Sequence, residues 1–332
     1  MIISVDCGST NMRCRLFDGM TLIDEEKRKA GVRNTAFTGT TDFLVTSLHD
    51  CVQTLLERNA LRPDSVEVIL SSGTLSSDVG IHTIPHVVLP AGAAESAAHA
   101  EVEVREDICP IPILFIPGVK LLPGAGEKDP TRRIEMVDSM SGEECETYGI
   151  MKLLGLRGPF TITLPGSYNK VFNVDADGRI TTMKTGMCGE FIAAISEHTL
   201  LKKSLSQPVI KRILPEKLVE GYEYCRTHGV SPTLIKARNV ILYDGWTEDE
   251  SANFFVGAAL ADDIRIVLTS CRPEEPLYLG GGQPLKEIFR VLLEHTQPAC
   301  RELVAIDDET AKICSNVGAM LVFEQFKKLG KF

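Results

Sequence analysis

The stretch "SVDCGSTNMRCRLFDG", residues 4–19, ends an apolar run on one carboxylate, Asp6, and follows it at once with Gly8, Ser9, Thr10 and Asn11. Turn residues of this kind, with Asp18-Gly19 further on, separate short runs at 2–6, 12–17 and 20–26, which predicts an antiparallel β-meander at the N-terminus. Taken alone, the first turn reads equally as an ordinary hairpin or as a phosphate-binding loop. Asp6 weighs against the plain hairpin. A turn needs no carboxylate on the last residue of a buried strand, whereas a divalent metal beside phosphates does.

The pattern returns in mid-chain as "GSYNKVFNVDADG", residues 166–178, so that Gly8 matches Gly166, Ser9 matches Ser167 and Asn11 matches Asn169. Matched hairpins opening two halves of a chain are what a duplicated α/β fold would show. Two such loops, one per domain, would face each other across a cleft and hold a polyphosphate on backbone N–H groups. The simpler alternative, two type I′ turns, stays open. Arg13 and Lys170 are the basic residues nearest the loops, each open between a solvated strand charge and a contact to phosphate or a substrate carboxylate.

Between the two loops, Phe43, Leu44, Leu48, Val52, Leu55 and Leu56 recur at helical spacing from Thr41 to Asn59, and Pro63 lies just beyond. "VEVILSS" (66–72) and "ILFIPG" (113–118) read as buried strands, the first running into a Gly-Ser loop. "DSMSGEECETYGIMKLLGL" reads as a loop followed by an amphipathic helix, with Glu143 and Glu144 at its positive end. This alternation predicts an α/β domain over 1–150 and a second domain over 151–332. Late in the chain, "PLYLGGGQPLKEIFRVLLEH" (276–295) is a strand, then Gly280, Gly281 and Gly282, then an amphipathic helix. Three glycines let a flat ligand lie on the backbone, and they also serve as a plain flexible turn. A long helix with an acidic first turn closes the chain.

With 332 residues, 44% of them hydrophobic, there is enough chain for two cores. A formal charge of −10 argues against a broad electrostatic grip on nucleic acid or anionic lipid. The ten cysteines are scattered without a Cys-x-x-Cys pair, which predicts reduced, mostly buried thiols. "MIISVD" reads as a strand rather than a signal peptide, and the longest apolar run is broken by prolines and too short to span a bilayer, so a cytoplasmic protein is expected. His82 and His86 flank "TIP", where proline removes the helix that would set them up as an i, i+4 metal pair.

The segments "DCGSTNMR", "SSGTLSSDVGIHTIPHVVLPAG", "FIPGV", "SMSGEECE", "LPGSYNK" and "TGMCGEF" follow one another in order between residues 6 and 191. Together they resemble the sugar-kinase, heat-shock chaperone and actin superfamily, and within it the 2-dehydro-3-deoxygalactonokinase family. The resemblance implies a two-lobed, duplicated actin-like ATPase (ribonuclease H-like) fold with a central ligand cleft. It implies ATP-dependent phosphorylation of the 6-hydroxyl of 2-dehydro-3-deoxygalactonate, with Mg²⁺ bound by the nucleotide; another sugar or sugar-acid kinase of the same fold, or a non-kinase nucleotide-binding regulatory or assembly protein, stays open as the alternative. Carried over by motif, Asp6 stands near the metal as a catalytic carboxylate. A kinase of this kind also needs a general base, for which Glu143 and Glu144 at the helix start are the candidates, as base or sugar-hydroxyl ligand, unless they are only acids favoured by a helix N-terminus. Gly8, Ser9, Thr10 and Asn11 contact phosphates, as do Gly166, Ser167, Asn169 and Lys170. Gly280, Gly281 and Gly282 flank the adenosine, while Gly73, Thr74, Ser77, Asp78 and Arg13 face the sugar acid. The implied partner is a small sugar acid rather than nucleic acid or membrane, with a homodimer left open. The chain departs from the family pattern at Cys7, where tryptophan is expected, and over 141–146, where Ser-Gly-Glu-Glu-Cys-Glu replaces Arg-Gly-Glu-Glu-Thr-Gln. It departs again over 166–171, Gly-Ser-Tyr-Asn-Lys-Val in place of Gly-Thr-His-x-Lys-Trp. These departures bear on the substrate more than on the fold.

Overall fold

In the computed structural model, which describes residues 1–205 and 207–332, the opening stretch folds as the meander that its turns predict: β1 (Ile2–Cys7), β2 (Met12–Asp18) and β3 (Thr21–Arg28). Two compact units follow from the contacts, and they are not consecutive halves. The first comprises Met1–Gly158, Val174–Thr182 and Glu309–Phe332; the second comprises Pro159–Asn173 and Met183–Asp308.

The first unit adds β4 (Val68–Gly73), β5 (Val87–Val88), β6 (Glu101–Arg105), β7 (Cys109–Phe115), β8 (Val119–Leu121) and β9 (Asp138–Met140). Its main sheet runs β3-β2-β1-β4-β7-β6, and β5-β8-β9 form a separate small sheet. β1, β4 and β7 are parallel, with Asp6 beside Ser72 and Cys7 beside Gly73. Parallel strands covered on both faces read as continuous apolar runs, and β4 is buried throughout. The helices are α1 (Val32–Thr38), α2 (Asp42–Arg58), α3 (Ala93–His99), α4 (Pro130–Glu135) and α5 (Glu143–Leu154). α2 buries Leu44, Leu48, Cys51, Val52, Leu55 and Leu56 in a core with Ile3, Val5, Ile69 and Ile113, while Phe43 drops out of the stripe and is exposed.

The second unit carries β10 (Phe160–Leu164), β11 (Asn169–Val174), β12 (Ile180–Gly186), β13 (Leu277–Leu279) and β14 (Leu303–Ala305), in the order β12-β11-β10-β13-β14. This repeats the order β3-β2-β1-β4-β7 of the first unit: a hairpin, then parallel strands added on the far side of its first strand. The duplication expected from the two Gly-Ser loops is therefore present in the sheets. Its helices are α6 (Cys188–His198), α7 (Pro215–His228), α8 (Val230–Tyr243), α9 (Glu248–Ala259), α10 (Ala261–Ser270) and α11 (Leu285–Thr296). The acidic run at Glu248–Glu250 opens α9, where Thr247 and Glu250 form a reciprocal capping box.

α12 (Asp308–Lys328) returns nearly all of its length to the first unit, which is why a cut after residue 150 does not separate the units. A buried polar chain holds it there. Arg15 donates to Asn316 Oδ1 at 2.8 Å and pairs with Glu25, while Asn316 donates to Ser4 Oγ at 3.0 Å. α12 also crosses α5 backbone to backbone, because a Cβ built on Gly149 would lie 1.7 Å from the Cys314 carbonyl oxygen and one on Gly318 would lie 1.8 Å from that of Cys145. The segment 174–182 joins the first unit through reciprocal backbone bonds between Ala91 and Ile180. All ten cysteines are free thiols, eight of them buried. Among the described residues no helix is long and apolar enough to cross a membrane.

Candidate active site

In each unit two parallel strands end side by side, and a loop leaves from that edge. In open α/β sheets the carboxyl ends of the strands are where ligands bind. Gly73 ends β4 at φ +86°, and a Cβ on it would sit 2.4 Å from the carbonyl oxygen of Cys7, the last residue of β1. Gly281, just past β13, has φ +80°, and its Cβ would sit 2.5 Å from the carbonyl oxygen of Pro165, just past β10. The two glycines occupy equivalent places in the repeat, and no residue with a side chain fits either. Thr74 Oγ1 fastens the first junction by donating to the Cys7 carbonyl at 2.8 Å, and the Gly280 N–H fastens the second by donating to Thr163 at 2.9 Å.

The two Gly-Ser loops are locked alike. Gly8 and Ser9 accept on their carbonyls from the N–H groups of Val32 (3.3 Å) and Arg33 (3.0 Å), at the start of α1. Gly166 and Ser167 accept from Gly189 (3.1 Å) and Glu190 (2.9 Å), in the first turn of α6. Type I′ turns require positive φ at both central residues. Neither Ser9 and Thr10 nor Ser167 and Tyr168 have it, so that alternative is set aside. With the loop carbonyls engaged by a helix, the amides of Ser9, Thr10, Ser167 and Tyr168 meet no acceptor among the described residues, at positions exposed or half-buried. Such amides form anion-receptive loops.

Around the loop of the first unit stand most of the side chains that the sequence singles out. Asp6 is half-buried, directly opposite Arg13 on β2. Burial raises its pKa, and Arg13 and Arg15 act against that. Arg13 is exposed, whereas Arg15, which the pattern does not distinguish, is the buried cation of the strand. Gly142, at φ +117°, starts α5 so close to β4 that its Cβ would lie 3.2 Å from Gly73 Cα. Glu144 is fully buried and accepts from the Gly142 N–H on both carboxyl oxygens, at 3.0 and 2.8 Å. Burial first, and the neighbouring Glu143 second, push its pKa to about 8. Glu144 thus sets the first turn of α5 from inside, while half-buried Glu143 stands nearer the surface on the same turn. Ser77 donates to the Thr74 carbonyl at 2.7 Å and shapes the loop after β4; Asp78 is exposed. His82 is stacked on Phe115 and bonded to Glu101 and Glu103, while His86 shares a 2.9 Å hydrogen bond with Ser141. Among the described residues no three His, Cys, Asp or Glu side chains gather into a metal-ligand cluster.

In the second unit Lys170 is buried rather than solvated, its Nζ donating to Thr185 Oγ1 at 2.9 Å. Asn169 accepts from Thr163 Oγ1 at 2.8 Å and is buried beside Asp263 of α10. Asp263 is 5% exposed, and Gly186 packs on it so closely that a Cβ would lie 2.1 Å from Oδ1. Burial raises its pKa to about 6 against the pull of the Cys188 N–H, and both Asp263 Oδ1 and Asn169 Nδ2 lack a hydrogen-bond partner. Past the three glycines, buried Lys286 donates to the Ile306 carbonyl at 2.8 Å and pairs with Asp308, anchoring the start of α11. Neither Asp263 nor Lys286 stands out in the sequence, because each reads as an ordinary first-turn residue of its helix.

Two units of one strand order, each with an amide-lined loop at the carboxyl end of its first strand, define an actin-like ATPase fold of the kind sugar kinases use. Residues 6–313 match the 2-keto-3-deoxy-galactonokinase family, and the chain belongs to that family. It is a sugar kinase and therefore a phosphotransferase. A solved structure of a candidate 2-dehydro-3-deoxygalactonokinase from Sinorhizobium meliloti is 19% identical, with a TM-score of 0.76 over 98% of this chain and 96% of that one. The activator of 2-hydroxyisocaproyl-CoA dehydratase from Clostridium difficile, solved with bound ADPNP, is 13% identical, with a TM-score of 0.51 over 100% and 97%. Component A of the (R)-2-hydroxyglutaryl-CoA dehydratase of Acidaminococcus fermentans is 14% identical, with a TM-score of 0.50 over 99% of each chain. At these identities the likeness is one of fold. No curated protein matches the chain.

Proposed function

We propose that the protein transfers the γ-phosphoryl group of ATP to the 6-hydroxyl of 2-dehydro-3-deoxy-D-galactonate. The observation that carries this reading is the convergence of Asp6, the amides of Ser9 and Thr10, Gly73 and the first turn of α5 at one edge of one sheet. Membership of the family supports it. Phosphoryl transfer needs positioned anion donors, a base near the attacking hydroxyl and charge neutralisation, and little else from the protein.

In this reading Gly8–Asn11 and Gly166–Asn169 each take phosphate oxygens on their own amides. Gly280, Gly281 and Gly282 leave backbone bare for the adenosine. The fit for Mg²⁺ is that of an ion held mainly by phosphates and waters, for which one protein carboxylate suffices. Asp6 is that carboxylate, and the bound ion would screen the phosphate charge. Glu143 accepts the proton of the 6-hydroxyl as the O6–P bond forms and the bond from γ-phosphorus to ADP breaks. Glu144, inside the protein, positions α5 for that step. Thr74 and exposed Asp78 offer partners to sugar hydroxyls. A related sugar acid as substrate is a second reading, favoured by Ser141 at the place of the family's arginine.

The assignment is tested by Asp6→Asn and Glu143→Gln, assayed with ATP, Mg²⁺ and the sugar acid. Glu143→Gln should lower kcat roughly a hundredfold or more, the usual cost of removing acid–base help. Asp6→Asn should lose Mg²⁺-dependent turnover yet fold at least as stably as the parent, since an amide avoids the burial cost of the charge. Full activity in either variant removes that residue from the mechanism.

A further inference from the structure

We propose that His86, Lys120 and Ser141, on one face of the small β5-β8-β9 sheet, form the subsite that binds the substrate's carboxylate. The inference rests on the sugar-acid reading above and assigns the group that distinguishes an acid from a neutral sugar.

The sheet itself sorts these residues. β5 and β8 are parallel, with Val88 beside Lys120, and β8 and β9 are antiparallel, with Lys120 beside Ser139 and Val119 beside Met140. Side chains alternate along a strand. Val87, Val119 and Met140 are all buried and take one face, so His86, Val88, Lys120, Ser139 and Ser141 fall on the other. That second face is open, with Val88 50% exposed.

On it, His86 Nε2 and Ser141 Oγ are 2.9 Å apart. Gly118 makes the approach possible: a Cβ there would lie 2.4 Å from Ser141 Oγ and 2.7 Å from His86 Cδ2. Burial is the main cause that holds the His86 imidazole below its usual pKa; half-buried Lys120 acts in the same direction, and Asp78, in the loop after β4, acts against both. Among the described residues no carboxylate pairs with Lys120 and no acceptor takes its Nζ protons. A half-buried cation left without a counter-charge, next to a neutral imidazole and a hydroxyl, has the chemistry of a small-anion site.

Its location selects the anion. Ser141 immediately precedes Gly142, which packs on Gly73, which in turn packs on Cys7 beside Asp6. The phosphates have amide loops of their own at the hairpins. What remains for an anion at the edge of α5 is the carboxylate of the acceptor. Arg13, opposite Asp6 on β2, is exposed.

The test compares the parent with Lys120→Met, Lys120→Arg and Gly118→Ala, following KM for 2-dehydro-3-deoxy-D-galactonate and for ATP separately, with calorimetric binding of the acid alone. Loss of one charge-assisted contact should raise KM and Kd for the acid roughly ten- to a hundredfold in Lys120→Met, leave KM for ATP within about twofold, and be largely rescued in Lys120→Arg. Gly118→Ala, whose Cβ would also meet the Met140 carbonyl oxygen, should weaken the acid and lower thermal stability together, which separates it from Lys120→Met. Among the described residues the Lys120 side chain makes no ion pair or hydrogen bond, so thermal unfolding of Lys120→Met should match the parent. An unchanged KM and Kd for the acid, or a rise in KM for ATP instead, overturns the subsite, as does a parent that binds no sugar acid. A parent that binds the acid through Lys120 but never phosphorylates it leaves the subsite standing and overturns the kinase substrate.

Discussion

Asp263 shows how a single side chain can be decisive and invisible in the sequence. It reads as one of two acids in the first turn of α10, where a helix favours negative charge anyway. Its importance comes from Gly186, Asn169 and Cys188, which only the folded chain brings to it. Its pKa is near 4 in an unfolded chain and about 6 here. The folded state therefore binds more protons between those values, and stability falls as pH rises from about 4 to 6 and stays lower above. A shift of this size corresponds to roughly 3 kcal/mol. In urea unfolding from pH 4 to 7.5, Asp263→Asn should gain on the parent by about that amount across the window; parallel profiles would show that Asp263 ionises without penalty. Asp6, by contrast, could be read from the sequence, because a carboxylate at the end of an apolar strand before Gly-Ser is unusual whatever surrounds it. Glu143 and Glu144 could be located but not told apart, since their burial differs through the packing of α5 and not through spacing.

At the scale of elements, the meander, α2, α5, α11 and the closing helix follow from turn residues and apolar period, with ends within a few residues of expectation. The two Gly-Ser loops also followed from sequence, although what shapes them did not: their carbonyls are held by helix starts more than twenty residues downstream. The glycines of the α5–α12 crossing are a similar case. Gly149 and Gly318 look like weak points in helices until the partner backbone is seen against them. Gly149→Ala should cost about 1–3 kcal/mol or more in urea unfolding, since overpacking here meets a carbonyl rather than a movable side chain. Gly124→Ala, with open space around it, should change stability by less than about 0.5 kcal/mol. Equal effects at the two positions would contradict the close crossing.

For the whole molecule, duplication could be read from the two loops, but the division into units could not. Ser4 and Asn316, and Arg15 and Asn316, meet across some 300 residues of chain, and no local pattern announces such a bond. Lys120 belongs to the same class of hidden residue, because its face depends on the register of three short strands drawn from residues 87 to 140. Fold and family settle that the protein is a sugar kinase, and the acceptor is the claim on which the rest of the account depends. The most direct measurement is ³¹P NMR of purified protein with ATP, Mg²⁺ and, in turn, 2-dehydro-3-deoxy-D-galactonate, its 4-epimer and neutral hexoses. The account predicts a phosphomonoester signal coupled to the C6 protons with the galactonate, and much slower turnover of any neutral sugar. ATP consumption with a neutral hexose and none with either acid would contradict it.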